Sequence, residues 1–200
     1  PVKAATPPAP PAASPTALQQ AADLLNRAKM PLLLVGGGAQ DAAPFVQELA
    51  EKLDAPVLMT VNGRGLLPTD HPLAVPANPS MPPCIKLIEE ADVVLAIGTE
   101  FGPTDYDWLE LGGARFLGKS IRIDIDAEQI ARTRLVDLPI IAEAAEACGA
   151  LVPLLLAAQR RDGAGRAAVT RDKMVAELSP LYRACLHLLE TTRDALPGVV

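Results

Sequence analysis

Two glycine-containing turns follow apolar segments and could bring the backbone close to a phosphate group. The first is Gly36-Gly37-Gly38, after the apolar run 32–35, and the second is Gly98, after the run 92–97. Glycine lets a phosphate approach the backbone, and the N-terminus of a following helix favours an anion. The triplet departs from the Gly-x-Gly-x-x-Gly dinucleotide motif, because Asp41 stands three positions after its last glycine. A tight strand-to-helix turn without a ligand is the competing interpretation.

Acidic residues follow two of the apolar runs. Glu100 comes two positions after Gly98, Asp124 lies near the end of the run 120–125, and Asp126 directly follows that run. An acid after a parallel strand can bind a ribose hydroxyl, so the glycine triplet, Gly98, Glu100 and Asp124 together form a candidate nucleotide site. A carboxylate at Glu100 would repel a diphosphate, which indicates a vestigial site. Asp126 has a second interpretation, as the cap of a helix predicted to begin at the next residue.

Residues for hydrolytic or metal chemistry are sparse. His71 and His187 are the only two histidines and are far apart, so neither a hydrolase triad nor a zinc site is supported. The three cysteines, Cys84, Cys148 and Cys185, show no Cys-x-x-Cys pairing, and we expect buried, reduced thiols. We interpret His71 as structural. We therefore predict no catalytic residue and no metal ligand in this chain.

Two further regions leave the role of their residues open. Arg64, in Asn62-Gly63-Arg64-Gly65, could meet a substrate carboxylate at a domain interface, or it could pair with a neighbouring domain or chain. Tyr106 and Trp108 are notable because aromatic residues are scarce, and they would pack on a partner domain or in the core.

Apolar runs alternate with helical patterns along most of the chain. Strands are predicted over 32–35, 56–60, 92–97, 120–125 and 138–141, and helices over 15–28, 44–53, 82–90, 127–134 and 144–159. Strands that are apolar on both faces and alternate with helices indicate a parallel sheet covered on both sides. Right-handed crossovers between such strands give a Rossmann-like doubly wound α/β domain.

Composition narrows the class of partner. Half of the 200 residues are hydrophobic, 3% are aromatic, and the formal net charge is -6. The absence of a long basic block argues against nucleic acid or an anionic membrane as the main partner. The apolar runs are far shorter than the roughly 20 residues that span a bilayer. We expect a cytoplasmic protein.

Five segments in this order resemble the central domain of thiamine-diphosphate-dependent enzymes of the acetolactate synthase and 2-oxo-acid decarboxylase group. They are Pro31-Leu-Leu-Leu-Val-Gly-Gly-Gly, Ala55-Pro-Val-Leu-Met-Thr, Gly63-Arg-Gly-Leu-Leu-Pro-Thr-Asp-His-Pro, Ala91-Asp-Val-Val-Leu-Ala-Ile-Gly and Ile121-Arg-Ile-Asp-Ile-Asp. The resemblance covers residues 16–158. It implies a mostly parallel sheet of about six strands.

The resemblance also implies where the chemistry of such an enzyme lies. A Glu in an N-terminal domain activates thiamine diphosphate, and a Gly-Asp-Gly motif in a C-terminal domain holds magnesium and the diphosphate. This chain has neither; its only Asp-Gly pair is Asp162-Gly163. Flavin-binding relatives carry arginines after the glycine that corresponds to Gly98, where this chain has Glu100 and Thr104, and many carry Gly-Asp where it has Ala142-Glu143. We expect the chain alone to bind no cofactor, FAD included.

The function implied is that of a non-catalytic, structural central domain of an acetolactate synthase-like enzyme acting on 2-oxo acids. One alternative is a flavin-free 2-oxo-acid decarboxylase of the same family, and another is an FAD- or ADP-binding module at Gly36–Gly38, Gly98–Phe101 and Asp124. Residues 1–15 are predicted to be an interdomain linker, 16–158 the central domain, 159–169 a second linker, and 170–200 the start of a C-terminal domain. The partners implied are the N- and C-terminal domains of the same chain, in a homo-oligomer.

Overall fold

A computed structural model describes residues 9–106, 115–132 and 136–157, together with the single positions 176, 184, 187, 188, 191 and 192. Its centre is a six-stranded sheet in the order β3-β2-β1-β4-β5-β6, in which every pair of neighbours is parallel. The strands are β1 (Pro31–Val35), β2 (Val57–Met59), β3 (Ala74–Val75), β4 (Val93–Ile97), β5 (Lys119–Asp124) and β6 (Leu138–Ile141). The predicted Rossmann-like α/β fold is confirmed, and the sheet is wholly rather than mostly parallel.

Helices connect the strands. They are α1 (Pro15–Arg27), α2 (Ala43–Leu53), α3 (Pro82–Glu90), α4 (Pro103–Tyr106), α5 (Ala127–Arg132) and α6 (Ala144–Leu151). Short 3-10 helices cover Gly37–Ala42, Val61–Gly63 and Val152–Leu154. The apolar stripe predicted for α1 is confirmed, since Leu18, Ala21, Ala22 and Leu25 are buried. Burying each leucine stabilises the fold by about 1.5–3 kcal/mol. No helix within the described residues is long and apolar enough to cross a membrane.

Each face of the sheet packs into its own apolar core. Leu33 and Val35 of β1 point to the core that α1, α2 and α6 share, whereas Leu32 and Leu34 point to the core that contains α3. All five residues of β1 and of β4 are buried. A strand buried on both faces explains why these runs are continuously apolar rather than alternating.

The structure corrects two predictions of secondary structure. The helix predicted over 144–159 ends at Leu151 and continues only as a 3-10 turn. Pro153 has no N–H, and its ring clashes with the carbonyl four residues earlier, so the α-helix stops there. The strand that the sequence did not predict is β3, Ala74–Val75, which lies in a stretch where the apolar pattern predicted neither a strand nor a helix. Two residues between turns are too short to give a periodic signal.

Candidate functional site

The strand order reverses between β1 and β4, which are neighbours in space although α2, β2, β3 and α3 separate them in sequence. In open α/β sheets this switch point, at the carboxyl ends of the strands, is where ligands bind. The turn Gly36-Gly37-Gly38 follows β1 and Gly98 follows β4. The sequence therefore placed the candidate glycines at the correct edge of the sheet.

These glycines pack against one another rather than around an open space. A Cβ atom on Gly36 would lie 2.3 Å from the carbonyl oxygen of Gly98, and one on Gly98 would lie 2.5 Å from the carbonyl carbon of Gly38. Gly98 also has a φ of +55°, a conformation that glycine adopts without strain. Close contact between the two turns accounts for both features.

Four backbone N–H groups of the two turns donate to carbonyl groups inside the protein. The N–H of Gly36 donates to the Ile97 carbonyl at 3.0 Å, and the N–H of Gly38 donates to the Gly98 carbonyl at 3.1 Å. Ala39 N donates to the Gly36 carbonyl and Gly98 N to the Ile123 carbonyl. A phosphate cradle needs N–H groups that point at the ligand. Three of these donors instead join the ends of β1, β4 and β5, and the fourth, Ala39 N, closes the first turn.

The loop after β2 lies beside the first turn and carries Arg64. Thr60 N donates to the Val35 carbonyl at 3.0 Å, and the Thr60 hydroxyl accepts from Gly63 N at 3.2 Å. A Cβ on Gly63 would lie 2.5 Å from the Val35 oxygen, so only glycine fits. Val61 N donates to Asp105 Oδ1 at 2.9 Å. These contacts hold the loop in place, and the Arg64 side chain is exposed.

Glu100 lies in the turn after β4, beside aromatic side chains that pack under this turn. Glu100 itself is exposed, whereas the next residue, Phe101, is buried with a φ of +54°. The Phe101 ring meets Tyr106 edge-on at 5.2 Å, and the Tyr106 hydroxyl bonds to the Thr99 hydroxyl at 2.8 Å. Burial raises the pKa of Tyr106 above its usual range, so the phenol stays protonated. Tyr106 thus packs in the core; Trp108 lies outside the described residues.

Asp124 is bound by a buried arginine that the sequence reasoning did not single out. Arg122 is 0% exposed and its Nη2 donates to Asp124 Oδ2 at 2.9 Å. Its Nη1 donates to the Gln129 carbonyl at 2.7 Å, and the guanidinium carbon lies 4.9 Å from the centre of the Phe101 ring. Its Nε makes no hydrogen bond within the described part of the chain. The available signal was a lone charge in the apolar run Ile121-Arg122-Ile123.

Asp126 caps α5. Its Oδ1 accepts from Glu128 N at 2.8 Å and from Gln129 N at 3.3 Å, while Asp126 N donates to Asp124 Oδ1 at 3.1 Å. The capping interpretation is therefore confirmed. Asp124 uses one carboxylate oxygen for this turn and the other for Arg122, so these two hydrogen bonds occupy about half of its acceptor sites.

The described histidines and cysteines take no part in this site. His71 Nδ1 accepts from Leu73 N at 3.2 Å, and its Nε2 lies 3.3 Å from Glu51 Oε1. Because Nδ1 accepts, the proton of the neutral ring lies on Nε2. Burial raises the pKa of the Cys84 and Cys148 thiols to about 12, so they are poor nucleophiles at neutral pH.

Of the remaining sequence candidates, His187 is exposed, and Cys185 and the Asp162-Gly163 pair lie outside the described residues. Within the described ranges, no three His, Cys, Asp or Glu residues lie where they could hold a metal ion. Glu143 belongs to the pair Ala142-Glu143, which the resemblance places opposite Gly-Asp. Its side chain caps α6 by accepting from Glu146 N at 2.8 Å.

Comparison with known proteins gives a consistent assignment. The family model for the central domain of thiamine pyrophosphate enzymes matches residues 18–151. A protein of Pseudomonas aeruginosa named as a probable 2-ketoarginine decarboxylase is 36% identical over 91% of this chain and 32% of its own length. The acetolactate synthase isozyme 1 large subunit of Escherichia coli is 31% identical over 88% of this chain and 31% of its own. The sulfoacetaldehyde acetyltransferase of Rhodobacter capsulatus is 36% identical over 86% and 30%.

A solved structure shows the same fold. A chain from Mycobacterium smegmatis, named as a thiamin diphosphate-dependent enzyme, superposes with a TM-score of 0.63 at 24% identity, over 80% of this chain and 32% of that one. The present chain thus spans about a third of the length of the relatives that it matches. From the match over residues 18–151, this chain belongs to the thiamine pyrophosphate enzymes, as their central domain.

Proposed function

We propose that this chain is the central domain of a flavin-free, thiamine-diphosphate-dependent decarboxylase of 2-oxo acids. The catalytic residues then belong to an N-terminal pyrimidine-binding domain and a C-terminal diphosphate-binding domain of the same polypeptide, in a cytoplasmic homo-oligomer. The domain boundaries are those predicted from the sequence, at residues 15, 158 and 169. The role of this chain is to space the catalytic domains and to contribute to their contacts.

The residues of this chain do not themselves fit the cofactor. Thiamine diphosphate with magnesium supplies the electron sink that 2-oxo-acid decarboxylation needs. The sequence of this chain lacks a Gly-Asp-Gly motif. Two described acidic residues of the carboxyl edge are engaged elsewhere: Asp124 with Arg122, and Asp126 in the cap of α5. We therefore assign no reaction step to this chain.

The engaged N–H groups of Gly36, Gly38 and Gly98 carry the flavin-free part of the proposal. A flavin nucleotide would need donors and positive charge for its diphosphate. At this edge the donors serve the sheet, Glu100 adds negative charge, and the guanidinium of Arg122 is buried against Asp124. The similarity to the Pseudomonas protein makes 2-ketoarginine the first substrate to test.

Ligand binding to the purified chain tests the flavin-free part. FAD, ADP and NAD should each leave its melting temperature unchanged, and the protein should be colourless. A reproducible rise with FAD or a yellow preparation would overturn it and favour a nucleotide-binding module. Glu100→Arg provides a matched control, because it reverses the charge without touching the glycine turns. If that variant gains FAD binding, charge alone excludes the flavin and the argument from engaged N–H groups is wrong.

The second candidate function is an acetolactate synthase-like carboligase, which the 31% identity to the Escherichia coli enzyme favours. The two candidates predict different products from the complete enzyme supplied with thiamine diphosphate and magnesium. A decarboxylase releases carbon dioxide from 2-ketoarginine and leaves an aldehyde, whereas the carboligase joins two pyruvate molecules with loss of one carbon dioxide. Acetolactate formation without turnover of 2-ketoarginine would overturn the decarboxylase proposal. No activity of either kind with the cofactor bound would overturn both.

A further inference from the structure

The segment before α1 is attached to the opposite end of the sequence-defined domain. The carbonyl of Pro11 accepts from Glu143 N at 3.0 Å, and Ala13 N donates to Glu146 Oε2 at 3.0 Å. Ala13 is 8% exposed and belongs to the core that α1, α2 and α6 share. Part of the predicted linker 1–15 is therefore docked on the domain rather than a free spacer.

The first turn of α6 is built to hold this segment. The side chain of Glu143 caps the helix by accepting from Glu146 N, and the backbone N–H of Glu143 donates to the Pro11 carbonyl. Glu146 lies in the first turn, where the helix dipole favours a carboxylate. A proline fixes its own φ angle, so Pro11 and Pro15 lower the entropy lost when the segment docks.

We propose that Glu143 and Glu146 form an entry clamp, which fixes the direction from which the chain enters this domain. The clamp lies just after Ile141, the last residue of β6, and therefore at the carboxyl edge of the sheet. Ala142 N donates to the Asp124 carbonyl at 3.0 Å, which joins the clamp to the end of β5. Pro11 and Ala13 are thereby held at the carboxyl edge of the sheet, the edge that carries the candidate site. The inference rests on contacts within this chain and does not depend on the proposed function.

Hydrogen exchange of the Ala13 amide tests the clamp. Its N–H donates to a carboxylate, so Glu146→Ala should speed exchange of this amide on the order of tenfold, the loss expected for one charge-assisted hydrogen bond. Exchange of the Leu33 amide in β1 should not change, because the domain stays folded. Limited proteolysis within 9–14 should accelerate in parallel.

Two variants make the result specific. Glu146→Gln keeps an oxygen that can accept from Ala13, so its exchange should stay close to that of the unmodified chain. Glu48→Ala removes an exposed glutamate of α2 and matches the charge change; it should leave Ala13 unaffected. An Ala13 amide that exchanges equally fast in the unmodified chain and in Glu146→Ala, with β1 still protected, would overturn the clamp. Equal acceleration by Glu48→Ala would do the same.

Discussion

Asp124→Asn should destabilise the chain more than Arg122→Met does, although both substitutions break the same ion pair. The reason is the unequal burial of the two side chains. The Arg122 side chain is 0% exposed, whereas that of Asp124 is 10% exposed and lies at the end of a strand. Removing the carboxylate charge leaves a guanidinium without a counter-charge inside the protein. Removing the guanidinium leaves a carboxylate that still accepts from Asp126 N and can reach water.

The magnitude follows from the cost of an uncompensated buried charge. Loss of one partner from a buried pair costs about 3–5 kcal/mol when the remaining charge stays buried, whereas apolar replacement of both partners is often nearly neutral. We therefore expect Asp124→Asn to lower the free energy of unfolding by about 3 kcal/mol or more. For a domain of this size that corresponds to a fall in Tm of roughly 6–12 °C. Arg122→Met should cost about 1–2 kcal/mol, because methionine fills most of the volume and packs on Phe101.

Urea unfolding, followed by circular dichroism, measures these differences among the unmodified chain, the two single variants and the double variant. The double variant Arg122→Met/Asp124→Asn should be more stable than Asp124→Asn alone, because the second substitution removes the orphaned charge. It also covers the case in which Asp124→Asn is too unstable to purify. The reasoning is refuted if Asp124→Asn stays within about 1 kcal/mol of the unmodified chain, or if the two losses simply add.

Four other substitutions give further expected outcomes. Gly98→Ala places a Cβ 2.5 Å from backbone at a φ of +55°, and should cost more than about 2 kcal/mol in urea unfolding. Gly102→Ala, whose Cβ would meet nothing within 4 Å, should cost less than about 0.5 kcal/mol. Asp92→Ala removes an acceptor of two backbone N–H groups before β1, at 2.6 and 2.7 Å, and should lower stability by about 1–2 kcal/mol. The hydrogen bond from Lys119 lowers the pKa of Asp137 in the folded chain, so this carboxylate stabilises the fold above its unfolded pKa of about 4. Asp137→Asn should therefore be destabilising at neutral pH, and its difference from the unmodified chain should shrink as the pH falls below about 4.

The sequence was sufficient for the parts of the fold that rest on local pattern. The apolar runs at β1 and β4 are buried on both faces, so their continuous hydrophobicity identified them as strands of a parallel sheet. Asp126 was correctly interpreted as a cap, because its type and position alone favour that role. The sequence did not predict strand β3, because two residues are too few to show a periodic pattern. The predicted end of α6 was too late, because the prediction did not allow for Pro153 ending the α-helix.

The candidate site depended on contacts between distant residues, which a local pattern does not contain. Gly36 and Gly98 are sixty-two positions apart, and only the parallel pairing of β1 with β4 brings their backbones together. Arg122 was overlooked for a related reason. Its burial depends on Phe101, from the turn after β4, and on the carbonyl of Gln129, from α5. A charged residue inside an apolar strand was the one local sign of this network.

The glycine turns separate two functions that look alike in sequence. A turn that cradles phosphate and a turn that lets two strand ends approach both require glycine, the first for the ligand and the second for the neighbouring backbone. The destination of the N–H groups distinguishes them. In this chain the donors of Gly36, Gly38 and Gly98 point to the carbonyls of Ile97, Gly98 and Ile123, and therefore into the sheet. A ligand that took these three N–H groups would have to break hydrogen bonds that join the ends of β1, β4 and β5.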